Sequence, residues 1–323
     1  MSKLNILYFG TPEFASHVLE DLIDGGYNIV GVVTTPDRPA GRGHQLRPSA
    51  VKAVATSKLP GVPLLQPESL KDEAFLTALK GLGADLFIVV AFRMLPKEVW
   101  AMPDKGTFNL HASLLPNYRG AAPIQRAIMN GESETGVTTF FLNEKIDEGL
   151  IILQEKVAIT PEDDGGSLHD KLMTIGGKLV LKTVDLIEIG GCSGRSQMTA
   201  DASKLKYAQK IFKEDRQLSF TGSNAEQIHL CVRAMSPYPA AIATLVHHEE
   251  KPIEIKVFKS RIAEEDLTHL QPGKLKIRDG RLFIKCLNGT IELLEIQYPS
   301  KKRTSVRDFL LGNPIDEEIV HFL

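Results

Sequence analysis

The chain has 323 residues, which at roughly 150 residues per domain predicts about two domains, each able to bury its own core. Hydrophobic residues make up 43% and charged residues 24%, with 26 Gly and 18 Pro, which excludes a disordered, collagen-like or disulfide-scaffold chain. The 38 basic and 40 acidic side chains give a net charge of −2, so the chain lacks the bulk positive field of a DNA-coating protein, while a local basic face stays open.

In chain order, Leu4 to Phe9 is a short apolar run closed by Gly10 and reads as a strand. Thr11-Pro12-Glu13 supplies an N-cap, a proline at the first helical position and an early acid. Phe14, Val18, Leu19, Leu22 and Ile23 then recur with helical period until Gly25-Gly26. With Ile29 to Val33 strand-like again, the expected unit is βαβ in a buried parallel sheet. The Pro- and Gly-rich stretch from Thr35 to Arg47 carries Arg38, Arg42 and Arg47 and is expected to be a mobile surface loop. Its arginines either engage phosphates or merely solubilise it. A helix over Phe75 to Leu79 and a buried central strand from Ala84 to Phe92 complete an open α/β sheet, with its ligand crevice at the carboxyl ends of the strands. The turn Gly10-Thr11-Pro12-Glu13-Phe14-Ala15 lacks the three-glycine dinucleotide fingerprint.

In Gly106 to His111, a side-chain period of two puts Phe108 and Leu110 on one face of a strand and Asn109 and His111 together on the other. An amide and an imidazole at a strand end can donate to a carbonyl oxygen that becomes an oxyanion, as acyl transfer requires. The alternative is that both side chains satisfy loop backbone groups. Asp147 follows the strand-like Val137 to Leu142; it either pairs with His111, fixing its tautomer, or is an exposed turn residue before Gly149.

From Gly190 the small, polar run to Gln197 reads as an interdomain linker. Beyond it, Ser223-Asn224-Ala225-Glu226 forms a capping box before a helix carrying Ile228, Cys231 and Val232. Alternating runs around Ile253 to Val257, Leu275 to Ile277, Leu282 to Cys286 and Ile291 to Leu293 follow, separated by Asp279-Gly280 and Asn288-Gly289. They predict an antiparallel module of barrel type. Residues 206–323 hold 18 basic and 16 acidic side chains against 20 and 24 before them, with Lys301-Lys302-Arg303 the densest basic cluster.

Cys192, Cys231 and Cys286 are widely spaced and odd in number, fitting neither a disulfide framework nor a zinc site; a reducing, cytoplasmic compartment and no metal are expected. The longest apolar run, Leu86 to Phe92, is far short of the roughly 18 residues of a membrane span, and no signal region precedes the first strand.

Taken together, Phe9 to Ala15, Pro36 to Gly43, Asn109 to Gln125, Glu134 to Thr138, Tyr207 to Ile211 and Cys231 to Ala234 resemble the folate-dependent formyltransferases, and within them the methionyl-tRNA formyltransferase family. The resemblance implies a Rossmann-like catalytic domain over 1–189, a linker over 190–208 and a C-terminal barrel resembling the OB fold over 209–323 that binds tRNA. It implies formyl transfer from 10-formyltetrahydrofolate to the α-amino group of methionine on initiator Met-tRNA. Asn109, His111 and Asp147 would be the catalytic set, Ser113, Leu114, Leu115 and Pro116 would line the folate site, and Arg38, Arg42 and Arg47 would contact tRNA. No membrane partner is implied, and a monomer is. The chain departs from the family at His44-Gln45, where lysines often follow, and at Ala91 to Pro96, where a Tyr-Gly pair is common. The rival readings are a formyltransferase for glycinamide ribonucleotide or an amino sugar nucleotide, a formyltetrahydrofolate hydrolase, and a noncatalytic RNA-binding module. The arginine loop with this C-terminal module speaks against the enzymes, and the intact Asn/His/Asp set against the module.

Overall fold

The computed structural model describes residues 3–40, 45–197, 202–247 and 251–323. The strands are β1 Asn5–Gly10, β2 Asn28–Val33, β3 Arg38–Ala40, β4 Gln45–Arg47, β5 Leu64–Leu65, β6 Leu86–Val90, β7 Thr107–His111, β8 Arg119–Gly120, β9 Glu134–Phe141, β10 Ile151–Ala158, β11 Tyr207–Ala208, β12 Ala241–His247, β13 Ile253–Ala263, β14 Leu275–Arg278, β15 Arg281–Lys285, β16 Thr290–Gln297, β17 Thr304–Ser305 and β18 Val320–Phe322. The helices are α1 Glu13–Asp24, α2 Ala50–Lys58, α3 Glu73–Gly81, α4 Lys97–Trp100, α5 Pro123–Met129, α6 Gly165–Glu188, α7 Ala225–Met235 and α8 Val306–Gly312. Among the described residues no helix is long and apolar enough to cross a membrane. The chain forms two compact units that interleave along the sequence: residues 1–120, 134–158 and 169–207, and residues 121–133, 159–168 and 208–323.

The first unit is built on a seven-stranded sheet ordered β10-β9-β7-β6-β1-β2-β5. The pairs from β7 to β5 are parallel, while β9 and β10 join antiparallel. β6 is the middle strand and every one of its residues is buried, as its unbroken apolar run predicts. One core face gathers Leu7, Phe9, Phe75, Phe87 and Val99. Gly176 of α6 lies against Leu110, where a Cβ would come within 2.9 Å of the leucine, so the helix can approach the apolar face of β7 closely.

Two helix starts differ from the sequence expectation. At α1 the N-cap is Pro12, which offers no capping side chain, and the Thr11 hydroxyl is buried without a partner. At α7 the capping box is shifted by one residue: Asn224 accepts from the Gln227 amide while Gln227 reaches back to Asn224. Asn224 has the extended backbone that an N-cap needs and Ser223 lies outside it.

The second unit is an antiparallel barrel ordered β14-β15-β16-β13-β12-β18, with β17 attached to β16. It is nearly closed, the Phe322 amide donating to the Gly273 carbonyl at 2.8 Å. Its interior holds Ile255, Val257, Leu282, Ile284, Ile291 and Leu293, the inward members of the alternating runs, capped by Ile228, Val232 and Met235 of α7. The Asp-Gly turn behaves as read: Asp279 and Gly280 both have positive φ, 54° and 72°, in a two-residue hairpin between Arg278 and Arg281.

Candidate active site

β7 delivers the predicted face. Phe108 and Leu110 are buried on the core side, and His111, also buried, and Asn109, half-buried, lie on the other. β7 runs parallel to β6, so both side chains sit toward the carboxyl end of the central strands, where an open α/β sheet presents its crevice.

His111 Nε2 lies 2.8 Å from the Tyr118 carbonyl oxygen. A carbonyl only accepts, so Nε2 is the protonated nitrogen and the tautomer is fixed from this side. Nδ1 then faces Asp147 Oδ2 at 3.9 Å, beyond hydrogen-bond range but within ion-pair range. The same Oδ2 accepts from the Gly120 amide at 2.9 Å, so the backbone of the loop after β7 helps to aim the carboxylate. Asn109 makes no hydrogen bond to any described residue through its side chain, leaving a donor and an acceptor for an incoming group. The three predicted catalytic residues are therefore brought to one place, although Asp147 lies 36 positions beyond His111.

The loop between them is stiffened from below. The Ser113 hydroxyl donates to the Asn117 carbonyl, and the Thr138 hydroxyl on β9 donates to the Ser113 carbonyl at 2.6 Å and accepts from the Leu115 amide. Gln154 on β10 donates to the Leu115 carbonyl at 2.9 Å. Ser113 and Leu115 are buried, Leu115 packing with Phe140 and Ile151. Only Leu114 and Pro116 of the expected folate-lining segment remain half-exposed, and Leu114 lies against Gly136. What this segment offers a ligand is chiefly those two side chains, because the carbonyls of Ser113, Leu114 and Leu115 and the Leu115 amide are already bonded within the loop and to β9 and β10.

The arginine stretch differs from a plain loop. Its flanks pair as β3 and β4, with Arg38 directly across from Arg47. Both side chains are exposed, and neither has an acidic partner among the described residues. Asp37 beside them is committed elsewhere: Lys52 and Gln66 bond its carboxylate at 2.7 and 3.0 Å and hold it below the usual carboxylate range. Arg42 lies outside the described residues. At the second departure, Ala91 adopts a positive φ of 45°, and Arg93 donates to the carbonyls of Pro67 and Glu68.

Two residues of this neighbourhood escape a sequence reading. Gln197, inside the expected linker, is buried and reaches the Asp147 loop, and Arg119 bonds Gln197 and pairs with Glu148. No local pattern marks either, because their partners lie far along the chain; the Arg-Gly of β8 inside the formyltransferase-like stretch was the one hint.

The formyl transferase family model matches residues 2–184, and the model of the formyl transferase C-terminal domain matches residues 210–314. A methionyl-tRNA formyltransferase of Flavobacterium johnsoniae is 47% identical over 318 residues, 98% of this chain and 99% of that protein. One of Bacteroides thetaiotaomicron is 48% identical over 312 residues, 96% and 95% of the two chains. Among solved structures, HypX of Aquifex aeolicus in complex with tetrahydrofolic acid superposes with a TM-score of 0.64 at 18% identity, covering 96% of this chain and 47% of that one. An N-formyltransferase of Helicobacter canadensis, bound to folinic acid and dTDP-3-aminofucose, gives a TM-score of 0.63 at 19% identity, covering 91% and 99%. With relatives this similar over nearly its whole length, and with both family models matched, the chain belongs to the formyl transferase family, among the methionyl-tRNA formyltransferases.

Proposed function

We propose that this chain transfers the formyl group of 10-formyltetrahydrofolate to the α-amino group of methionine on initiator Met-tRNA, giving formylmethionyl-tRNA for translation initiation. Full-length similarity to proteins named for this activity carries the reading, and the convergence of Asn109, His111 and Asp147 at the crevice supports it.

The chemistry follows from the donor set. Bound 10-formyltetrahydrofolate supplies an activated formyl group. The unpartnered Asn109 carboxamide donates to the formyl oxygen as it gathers negative charge. His111 Nε2 is engaged by the Tyr118 carbonyl, so the second donor is Nδ1–H of the imidazolium, with the Asp147 carboxylate on the same side. As the amine bonds to the formyl carbon and the bond from that carbon to the folate nitrogen breaks, the proton lost by the amine passes by way of Asp147 to the departing nitrogen, leaving tetrahydrofolate as product and the carboxylate as it began. The segment from Ser113 to Pro116, held by Thr138 and Gln154, lines the folate site. Arg38, Arg42 and Arg47 meet tRNA phosphates, the barrel of 209–323 holds the tRNA body, 190–208 joins it to the catalytic part, and the enzyme works as a cytoplasmic monomer. Incubation with 10-formyltetrahydrofolate and charged initiator Met-tRNA is expected to yield formylmethionine; hydrolysis of the folate alone, or formylation of an amino sugar nucleotide in its place, would overturn the assignment.

A further inference from the structure

Residues 195–197 belong by composition to a linker, yet they are bonded to the site. Arg195 and Ile151 exchange both backbone hydrogen bonds, at 2.8 and 2.7 Å, laying the segment along the edge of β10. Two residues on, the Gln197 carboxamide uses its full capacity. Its Oε1 accepts from Arg119 Nε and Nη2 at 3.1 and 2.8 Å. Its Nε2 donates to the carbonyls of Asp147 and Gly149 at 2.9 and 2.8 Å. A guanidinium only donates and a carbonyl only accepts, so one amide orientation satisfies all four bonds. Arg119 also pairs with Glu148 at 3.1 Å. Three consecutive residues, 147 to 149, are thus gripped from one side. Asp147 needs the grip, since its φ of 54° is one that a non-glycine residue holds only where its surroundings impose it.

We propose that Gln197 is a positioning residue of the formyl-transfer site: buried and fully bonded, it holds the Asp147 loop so that the carboxylate faces His111, with Arg119 as its brace. This rests on Asp147 belonging to the catalytic set. A local shift of a catalytic group by about 1 Å costs on the order of 10²-fold in rate, so the effect falls on turnover rather than on substrate binding.

Steady-state kinetics of the full-length enzyme with 10-formyltetrahydrofolate and Met-tRNA test this. Gln197→Ala is expected to lower kcat by about 10- to 10²-fold, with KM for Met-tRNA within about 3-fold. Gln197→Glu keeps the shape but sets a carboxylate against two carbonyls, and is expected to be impaired at least as much. Arg119→Lys, which keeps the charge and loses the fork, provides the same test should Gln197→Ala not fold. In an Asp147→Asn background the Gln197 change is expected to add nothing, because it acts through the missing carboxylate. Equal fold-losses in both backgrounds, or a Gln197→Ala enzyme with unaltered kcat, would overturn the proposal. An Asp147→Asn enzyme at full rate would instead overturn the catalytic assignment on which it rests.

Discussion

Asn109 and His111 stand two residues apart on one strand, and the structure separates their duties. His111 is locked by the Tyr118 carbonyl, whereas the Asn109 amide has no bond to a described residue. A side chain that makes no hydrogen bond to a described residue can be truncated at little cost to stability, so Asn109→Ala is expected to lower kcat by about 10² to 10³, as for loss of one oxyanion donor, with thermal unfolding nearly unchanged. Near-normal turnover in that variant would take Asn109 out of the mechanism. At this scale the sequence is informative wherever chemistry follows the local period. The shared face of Asn109 and His111 is a property of any strand, and it is legible. The Tyr118 clamp and Gln197 are not, because they depend on where loops return after folding; nor is the cap of α1, where Thr11 is the better residue type and Pro12 holds the position.

Between strands, the loop from Asn143 to Gly149 closes back on β9 with no room to spare. A Cβ on Gly149 would lie 1.5 Å from the Phe141 carbonyl oxygen, so the loop must move if that residue gains a side chain. Gly149→Ala is expected to cost about 1–3 kcal/mol, read from urea unfolding, and to lower kcat together with it because Asp147 rides on the same loop. Unchanged stability and unchanged rate would mean that the loop has slack the packing denies. The sequence identified this segment as a turn but not what fixes it. The β3/β4 hairpin shows the opposite balance. Like charges directly across a ladder repel, and Arg38 and Arg47 oppose each other with no acidic partner among the described residues. A phosphate would relieve that repulsion. Replacing either arginine by Ala is therefore expected to weaken Met-tRNA binding and to reduce the slope of log K against log salt by about 0.7–0.9, one released counterion; an unchanged slope would leave that arginine without a phosphate contact.

Over the whole molecule the near-neutral charge conceals local clusters, and one of them, centred on a buried carboxylate, lies in the barrel. Glu292 on β16 is 3% exposed at its side chain and accepts two bonds of 2.8 Å from Arg281, with Arg261 on its other side and the Arg281 guanidinium over the Phe283 ring. Hydrogen bonds from Arg281 and then Arg261 hold the Glu292 carboxyl below its ordinary range against the opposing effect of burial. A buried carboxylate between two guanidiniums is little evidence of net stabilisation over an apolar core, but removing its charge leaves two arginines without their partner. Because the folded-state pKa lies below the unfolded one, the contribution is complete above about pH 4.3 and is lost as the pH falls through the folded value. The two units report separately: the single tryptophan, Trp100 on α4, belongs to the first, so its fluorescence follows that unit while circular dichroism follows both. Urea unfolding of the native chain is expected to show a dichroism transition attributable to the barrel that moves to lower urea between pH 5 and pH 3. In Glu292→Gln that transition is expected to lie lower already at pH 7 and to shift less on acidification, with the Trp100 transition the same in both proteins at pH 7. Parallel pH dependences of the barrel transition in the two proteins would show that Glu292 is not the group through which acid loosens it.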